Sequence, residues 1–298
     1  MNQLRLFTPG TLRASVIDRT DRALQCGALQ PIPTEYEFVE QNGIRFLVRI
    51  LSNLVRKQEA KQQQETAKPK DFNPFLPYEP DLFVTDISET HLCLLNKFNV
   101  VDYHLLIVTR EFEEQESLLT LEDFQAMRSC LAEYEGLAFY NSGKTAGASQ
   151  RHKHLQLVPL PLAPEIPQIP IAPLLATAKF DRDIGTIADF PFVHAVARLD
   201  DSWPTSPLDA AASSLKTYRT LLQAVKLFDE TETKAGAYNL LATREWMIIV
   251  PRSHESFQSI SVNSLGFAGA LLVKDRQQMQ ILKDCTPLKV LQNVGRSL

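Results

Sequence analysis

The residues of this chain whose types and spacing could do chemistry lie in one stretch, Asn141-Ser142-Gly143-Lys144-Thr145-Ala146-Gly147-Ala148-Ser149-Gln150-Arg151-His152-Lys153-His154-Leu155-Gln156. Side chains alternate on a strand, so His152, His154 and Gln156 share one face while Leu155 and Leu157 enter a core. The glycines and small residues ahead of that strand let backbone N–H groups approach an anion, as in the nests that hold phosphate oxygens. Lys144, Ser149 and Gln150 add side-chain donors at the same place. A neutral imidazole is a good nucleophile near neutral pH and a cationic leaving group once phosphorylated. Histidine, anion cradle and donors together describe phosphoryl or nucleotidyl transfer. A His-x-His pair also occurs in zinc sites, but Gln156 is a poor zinc ligand and no nearby Cys, Asp or Glu completes a set. A metal pair and an incidental polar strand are the lesser readings.

The flanking elements can be read from pattern. Residues 10–26 read as a moderately amphipathic helix, and Tyr36 to Ile50 as a hairpin turning at Asn42-Gly43. Residues 56–70, rich in Lys, Gln and Glu, read as a solvated helix end or loop, with Lys57 set apart as a candidate ligand. The three prolines of Asn73-Pro74-Phe75-Leu76-Pro77-Tyr78-Glu79-Pro80 exclude regular structure there. Strands are expected at His91 to Phe98 and His104 to Thr109. A helix follows from Thr120, with Asp123 as capping-box partner, a stripe of Phe124, Met127, Leu131 and Tyr134, and Gly136 as its close. Leu137 to Asn141 and His152 to Leu160 read as strands. Prolines from Pro159 to Pro173 suggest a connection between halves. Beyond it, Ser206 caps a helix with Pro207 first and Asp209 third, and strands return at Asn239 to Thr243 and Glu245 to Val250. This mixture is α+β. Leu105 to Glu111 parallels Met247 to Ser253, a weak hint of duplication. His91 and His104 read as satisfied structural histidines, Glu111 to Glu116 as a solvated turn, and Trp203 and Trp246 as core or rim aromatics.

Composition bounds the function. The 298 residues, 44% apolar and 22% charged, suit an ordinary globular protein with one large core or two smaller ones. Apolar runs are far short of the roughly 20 residues that span a membrane, and no secretory leader pattern opens the chain. The cysteines Cys26, Cys93, Cys130 and Cys285 are widely spaced, which fits a reducing cytoplasm. A net charge of −4 gives no general attraction to nucleic acid. No pattern sets an oligomeric state.

Gly147-Ala148-Ser149-Gln150-Arg151-His152-Lys153-His154-Leu155-Gln156 resembles the active-site motif of the ATP adenylyltransferases, also called diadenosine tetraphosphate phosphorylases, in the transferase branch of the histidine triad superfamily. Asn73 to Pro77, Leu95 to Phe98, Asn141-Ser142, Tyr238 to Met247, Val250 to Ser253 and Ser261 to Gly269 extend the resemblance over most of the chain. It implies a histidine-triad-like fold, an antiparallel sheet with flanking helices in two related halves. Those halves would be 1–165, catalytic, and 184–298, joined by 166–183. It implies that His154 attacks the α-phosphorus, that His152 shapes and polarises the pocket, and that Gln156 donates to the phosphate. Asn141 and Gly147, Ala148, Ser149 and Gln150 would bind polyphosphate. Lys57, Asn73, Pro74, Asn239, Thr243, Met247 and Arg252 would contact substrate. The substrates would be a dinucleoside polyphosphate, ATP, ADP and phosphate, with a divalent ion such as Mg2+ carried on the phosphates and no protein cage for it. Arg151 and the polar insert at 58–70 depart from the family pattern. A uridylyltransferase of the galactose-1-phosphate type, a dinucleotide hydrolase, a nucleotide sensor and a metal-binding module are the rival readings.

Overall fold

The computed structural model describes residues 8–51, 72–166, 168–199, 207–228 and 235–298. Lys57, the insert at 58–70, Trp203 and Ser206 lie outside them. Helix α1 (Leu12–Cys26) precedes the hairpin β1 (Thr34–Gln41) and β2 (Ile44–Leu51). Asn42 and Gly43 turn that hairpin at φ 50° and 76°, the left-handed pair that a tight hairpin needs. Then come β3 (Phe83–Asp86), β4 (His91–Leu95), β5 (Leu105–Thr109), α2 (Leu121–Glu133), β6 (Gly136–Asn141) and β7 (His154–Pro159). The short α3 (Ala172–Leu175), β8 (Lys179–Asp181) and β9 (Ile184–Thr186) lead to β10 (Ala195–Arg198), α4 (Pro207–Ala224), β11 (Tyr238–Ala242) and β12 (Trp246–Pro251). The chain closes with β13 (Ser256–Phe257), β14 (Ile260–Ser261), α5 (Ser264–Phe267), β15 (Ala270–Val273), α6 (Arg276–Cys285) and α7 (Pro287–Val294).

One ten-stranded antiparallel sheet runs β3-β4-β5-β7-β6-β11-β12-β10-β9-β8. Its order repeats. Strands β4-β5-β7-β6 with α2, and β9-β10-β12-β11 with α4, have the same topology, and β6 pairs with β11 at the join. The fold is therefore α+β with two related halves sharing one sheet. The strand parallel expected from sequence is a different one. β5 corresponds to β10 and β12 to β7, so the likeness of Leu105–Glu111 to Met247–Ser253 is one of composition only.

Helices α1, α2 and α4 cover one face of the sheet over a core that includes Val16, Phe124, Leu155, Leu157, Tyr218 and Met247. The other face is treated unequally. Over the second half, a three-stranded sheet (β1-β2-β15) with α6 and α7 buries Phe46, Ile248, Val250, Leu282 and Leu291. Over the first half the described residues form a small cluster of Phe75, Leu92, Leu94, Leu106 and Val108, and beside it they leave part of the sheet face open to a cleft. Thr120 and Asp123 make the expected capping box of α2. Gly136 does not close that helix. It begins β6, where an added Cβ would lie 2.5 Å from the Val158 carbonyl oxygen, so the requirement is close strand approach. No helix among the described residues is long and apolar enough to cross a membrane.

Candidate active site

The open face holds a cleft of about 920 Å³ lined by Asn73, Pro74, Phe75, Asn96, Lys97, Phe98, Phe112, Ser149, Gln150, His152, His154 and Gln156 among others. Its floor follows from strand alternation. His154 and Gln156 pair with Val108 and Leu106 on the open face, while Leu155 pairs with Ile107 in the helix-side core.

His154 is 4% exposed. Its Nδ1–H donates to the His152 carbonyl at 2.8 Å, which puts the lone pair on Nε2. Nε2 makes no hydrogen bond among the described residues. Burial, with the nearby His152 ring, pushes the imidazole down to about 4 despite that backbone bond, so the group is neutral at physiological pH. Phe75 lies against the ring, with centroids 5.2 Å apart. A neutral imidazole with a free lone pair in a cleft can serve as a nucleophile.

His152 is engaged on both sides. Nε2–H donates to the Thr109 carbonyl at 2.8 Å, and Asn73 Nδ2 donates to Nδ1 at 3.0 Å. Its ring is thus wall, and its carbonyl sets the tautomer of His154. Gln156 accepts at Oε1 from His104 Nε2–H at 3.0 Å, which leaves its NH2 group for the cleft.

The loop ahead of β7 is a narrower cradle than the sequence suggests. Ala146 N–H and Ala148 N–H both donate to the Gly143 carbonyl, and Gly147 N–H to that of Lys144, so these donors are spent inside the turn. Ser149 and Gln150 make no hydrogen bond among the described residues, and both line the cleft. They, not Gly147 and Ala148, have donors to offer an anion. Gly147 has φ +90°, and an added Cβ would lie 2.8 Å from the Val262 carbonyl oxygen. Its place is a tight backbone contact.

Asn141, Asn239 and Arg252, expected as ligand contacts, sit beneath that loop instead. Asn239 Nδ2 donates to Asn141 Oδ1 at 2.9 Å and to the Ala146 carbonyl at 2.8 Å. Arg252 Nη1 donates to Asn239 Oδ1 at 2.6 Å, to the Val262 carbonyl at 2.8 Å and to the Ala146 carbonyl at 3.2 Å. Burial lowers the guanidinium to about 10, still a cation at neutral pH. Its donors are occupied by protein oxygens, which is why it cannot also reach a substrate. Met247 is fully buried on the helix side of the sheet. Thr243 closes the β11–β12 turn, its Oγ1 accepting from Glu245 N–H at 3.2 Å. That turn is level with Val158, about 13 Å along the strand direction from His154 at 3.3 Å per residue. Neither residue reaches the cleft.

Sequence reasoning missed three supports. Gln115 lies in the segment expected to be a solvated turn, yet it is 2% exposed. Its Oε1 accepts from His154 N–H at 2.8 Å, and its Nε2 donates to the carbonyls of Asn141 at 2.9 Å and His154 at 3.1 Å. Tyr140 Oη donates to its carbonyl. Lys153, between the two histidines, points the other way and is fully buried. Its Nζ lies 2.6 Å from Asp123 and 2.9 Å from Glu113, and His91 Nε2–H donates to Asp123 at 3.0 Å. Burial alone would raise the Asp123 carboxyl, but His91 and Lys153 outweigh it and hold the group below its ordinary value. This ties the histidine strand to the first turn of α2. The third is the pairing of His104, satisfied as the sequence reading expected, with the cleft residue Gln156. No sequence signal marks any of these contacts, because each joins segments remote in the chain.

Residues 2–177 match the family model described as Ap4A phosphorylase N-terminal domain, and residues 188–297 match ATP adenylyltransferase C-terminal domain. The chain belongs to the Ap4A phosphorylase and ATP adenylyltransferase family. This adenylyltransferase is 30% identical to diadenosine 5',5'''-P1,P4-tetraphosphate phosphorylase 2 of Saccharomyces cerevisiae, over 92% of this chain and 90% of that one. It is 27% identical to Protein APA1 of the same yeast, over 90% and 88% of the two chains. The crystal structure of yeast Ap4A phosphorylase Apa2 in complex with Ap4A superposes with a TM-score of 0.79 at 27% identity, covering 97% of this chain and 98% of that one. The AMP complex gives 0.78 at 28%, covering 98% and 99%. The adenylyltransferase is thus an enzyme, a nucleotide-binding nucleotidyltransferase.

Proposed function

We propose that this adenylyltransferase cleaves diadenosine tetraphosphate with phosphate, reversibly, through an adenylyl group held on His154. The observation that carries the reading is the His154 tautomer. Nδ1–H is committed to a backbone carbonyl, so the lone pair on Nε2 is the one that meets substrate. Nε2 attacks the α-phosphorus, the bond to the bridging oxygen breaks, and ATP leaves. Phosphate then attacks the phosphorus of the adduct, the P–N bond breaks, and ADP leaves with Nε2 restored. Gln156 and the Ser149-Gln150 segment would donate to the non-bridging oxygens as charge builds, donors whose individual loss costs about 2.7–4 kcal/mol in comparable sites. Asn73 would hold His152, and Pro74 would shape the wall beside it. A divalent ion such as Mg2+ would ride on the substrate phosphates. Among the described residues no three of His, Cys, Asp or Glu gather to hold a metal. The four cysteines are free thiols, which supports a cytoplasmic setting.

The test is double displacement. A chiral phosphorothioate at the α-phosphorus should keep its configuration, and an acid-labile AMP adduct should map to the peptide carrying His154. With phosphate the products should be ATP and ADP. Net inversion would mean direct attack by phosphate and end the covalent scheme, while AMP formation independent of phosphate would make the enzyme a hydrolase.

A further inference from the structure

Three polar side chains stand in a row, and the outer two, Asn96 and Gln156, line the cleft. Asn96 Nδ2–H donates to His104 Nδ1 at 3.1 Å, and His104 Nε2–H donates to Gln156 Oε1 at 3.0 Å. His104 is 6% exposed, with the Phe139 ring 5.8 Å away between centroids. Two proton arrangements can satisfy such a row. One is this. In the other both amides are turned and the imidazole proton sits on Nδ1. They differ in what Gln156 shows the cleft. The first presents NH2, which attracts a phosphoryl oxygen. The second presents a carbonyl oxygen, which repels it.

We propose that His104, with its proton on Nε2 and the Asn96 amide at Nδ1, is a positioning residue that holds the Gln156 amide with NH2 toward the transferred phosphoryl group. The proposal rests on the reading of Gln156 as a phosphoryl donor. Burial and the nearby His154 ring push the His104 imidazole down to about 4, against the raising effect of its bond to Gln156, so the ring is neutral near pH 7. The position of one proton, not a charge, is what the ring contributes. In this arrangement Asn96 Nδ2 is the donor and His104 Nδ1 the acceptor.

The first test needs no variant. Nitrogen NMR of the full chain labelled in its histidines should show His104 protonated at Nε2 and bare at Nδ1 from pH 6 to 8. A proton on Nδ1 overturns the proposal. The second is a double-mutant cycle read as turnover of diadenosine tetraphosphate with phosphate. His104→Phe should lower kcat on the order of 100-fold in the wild-type background, as for a lost oxyanion donor. In a Gln156→Ala background it should lower kcat about twofold or less, with KM little changed in either. His104→Gln, whose amide can donate to Oε1, should recover part of the loss. Equal losses in both backgrounds mark a merely structural ring and overturn the proposal. The Gln156→Ala single variant separates the two layers. Undiminished turnover there removes Gln156 from the reaction, and the NMR result then decides alone what His104 does to the amide.

Discussion

The His154 ring owes its state to an atom that mutation of its partner does not remove. Its proton is held by the carbonyl of His152, not by that residue's imidazole. His154→Asn should therefore abolish turnover, by at least about 10³-fold, with the fold intact and AMP still bound. His152→Ala keeps the carbonyl and loses the ring bonds to Thr109 and Asn73 and the ring contacts with Phe75 and Phe112, so a loss of about 10- to 100-fold is expected. Steady-state rates beside AMP titrations check both, and near-wild-type turnover by a folded His154→Asn protein would remove it as nucleophile. The pairing of His154 with Gln156 was legible in the sequence because strand alternation is local. The roles of Gln115, His104 and Lys153 were not, since their partners are 39, 52 and 30–40 residues away and depend on register. Arg252 and Asn239 were legible as important and misread in role. A buried cation satisfied by carbonyl oxygens and one that grips a phosphate look the same in sequence.

Local signals that terminate elements read well, and signals that depend on a neighbour read poorly. The capping box at Thr120 and the Asn42-Gly43 turn are complete within a few residues. Gly136 carries the same letter as a helix stop, and only the Val158 carbonyl shows that it serves strand packing. Gly147 is the case with functional weight. Gly147→Ala combines a positive φ with a clash against the Val262 backbone, neither of which a side chain can relieve. It should cost more than about 1 kcal/mol of stability, move the segment that carries Ser149 and Gln150, and lower kcat. Gly27→Ala is the control, because Gly27 has φ +76° with nothing within 4 Å of an added Cβ. It should cost about 1 kcal/mol through backbone strain alone and leave turnover unchanged. Equal kcat values for the two variants would show that the loop backbone does not position the cleft donors.

At the scale of the molecule, burial of neutral imidazoles under the sheet face couples stability to pH. His154 and His104 are held down at about 4, and His194 is lowered in the same direction by burial. A depressed folded value means the unfolded chain binds more protons in between. The stabilisation is full above about 6.5, the ordinary histidine value, and is lost as pH falls toward 4. His154 and His104 each contribute a slope of about 1.4 kcal/mol per pH unit across that window. Urea midpoints should fall from pH 7 to pH 4.5, and His154→Asn should fall less steeply; equal slopes would mean that His154 is not held neutral. The repeated topology has a further consequence, of stoichiometry. The strand equivalent to β7 is β12, whose first residue is Trp246 where β7 begins with His154, and Trp246 packs into the cluster covered by the C-terminal helices. Among the described residues the molecule is built as two halves of matched topology, and the proposed tethering residue His154 has no histidine counterpart at the start of β12. Incubated with substrate and no phosphate, an intact polypeptide should gain the mass of one adenylyl group and stop there.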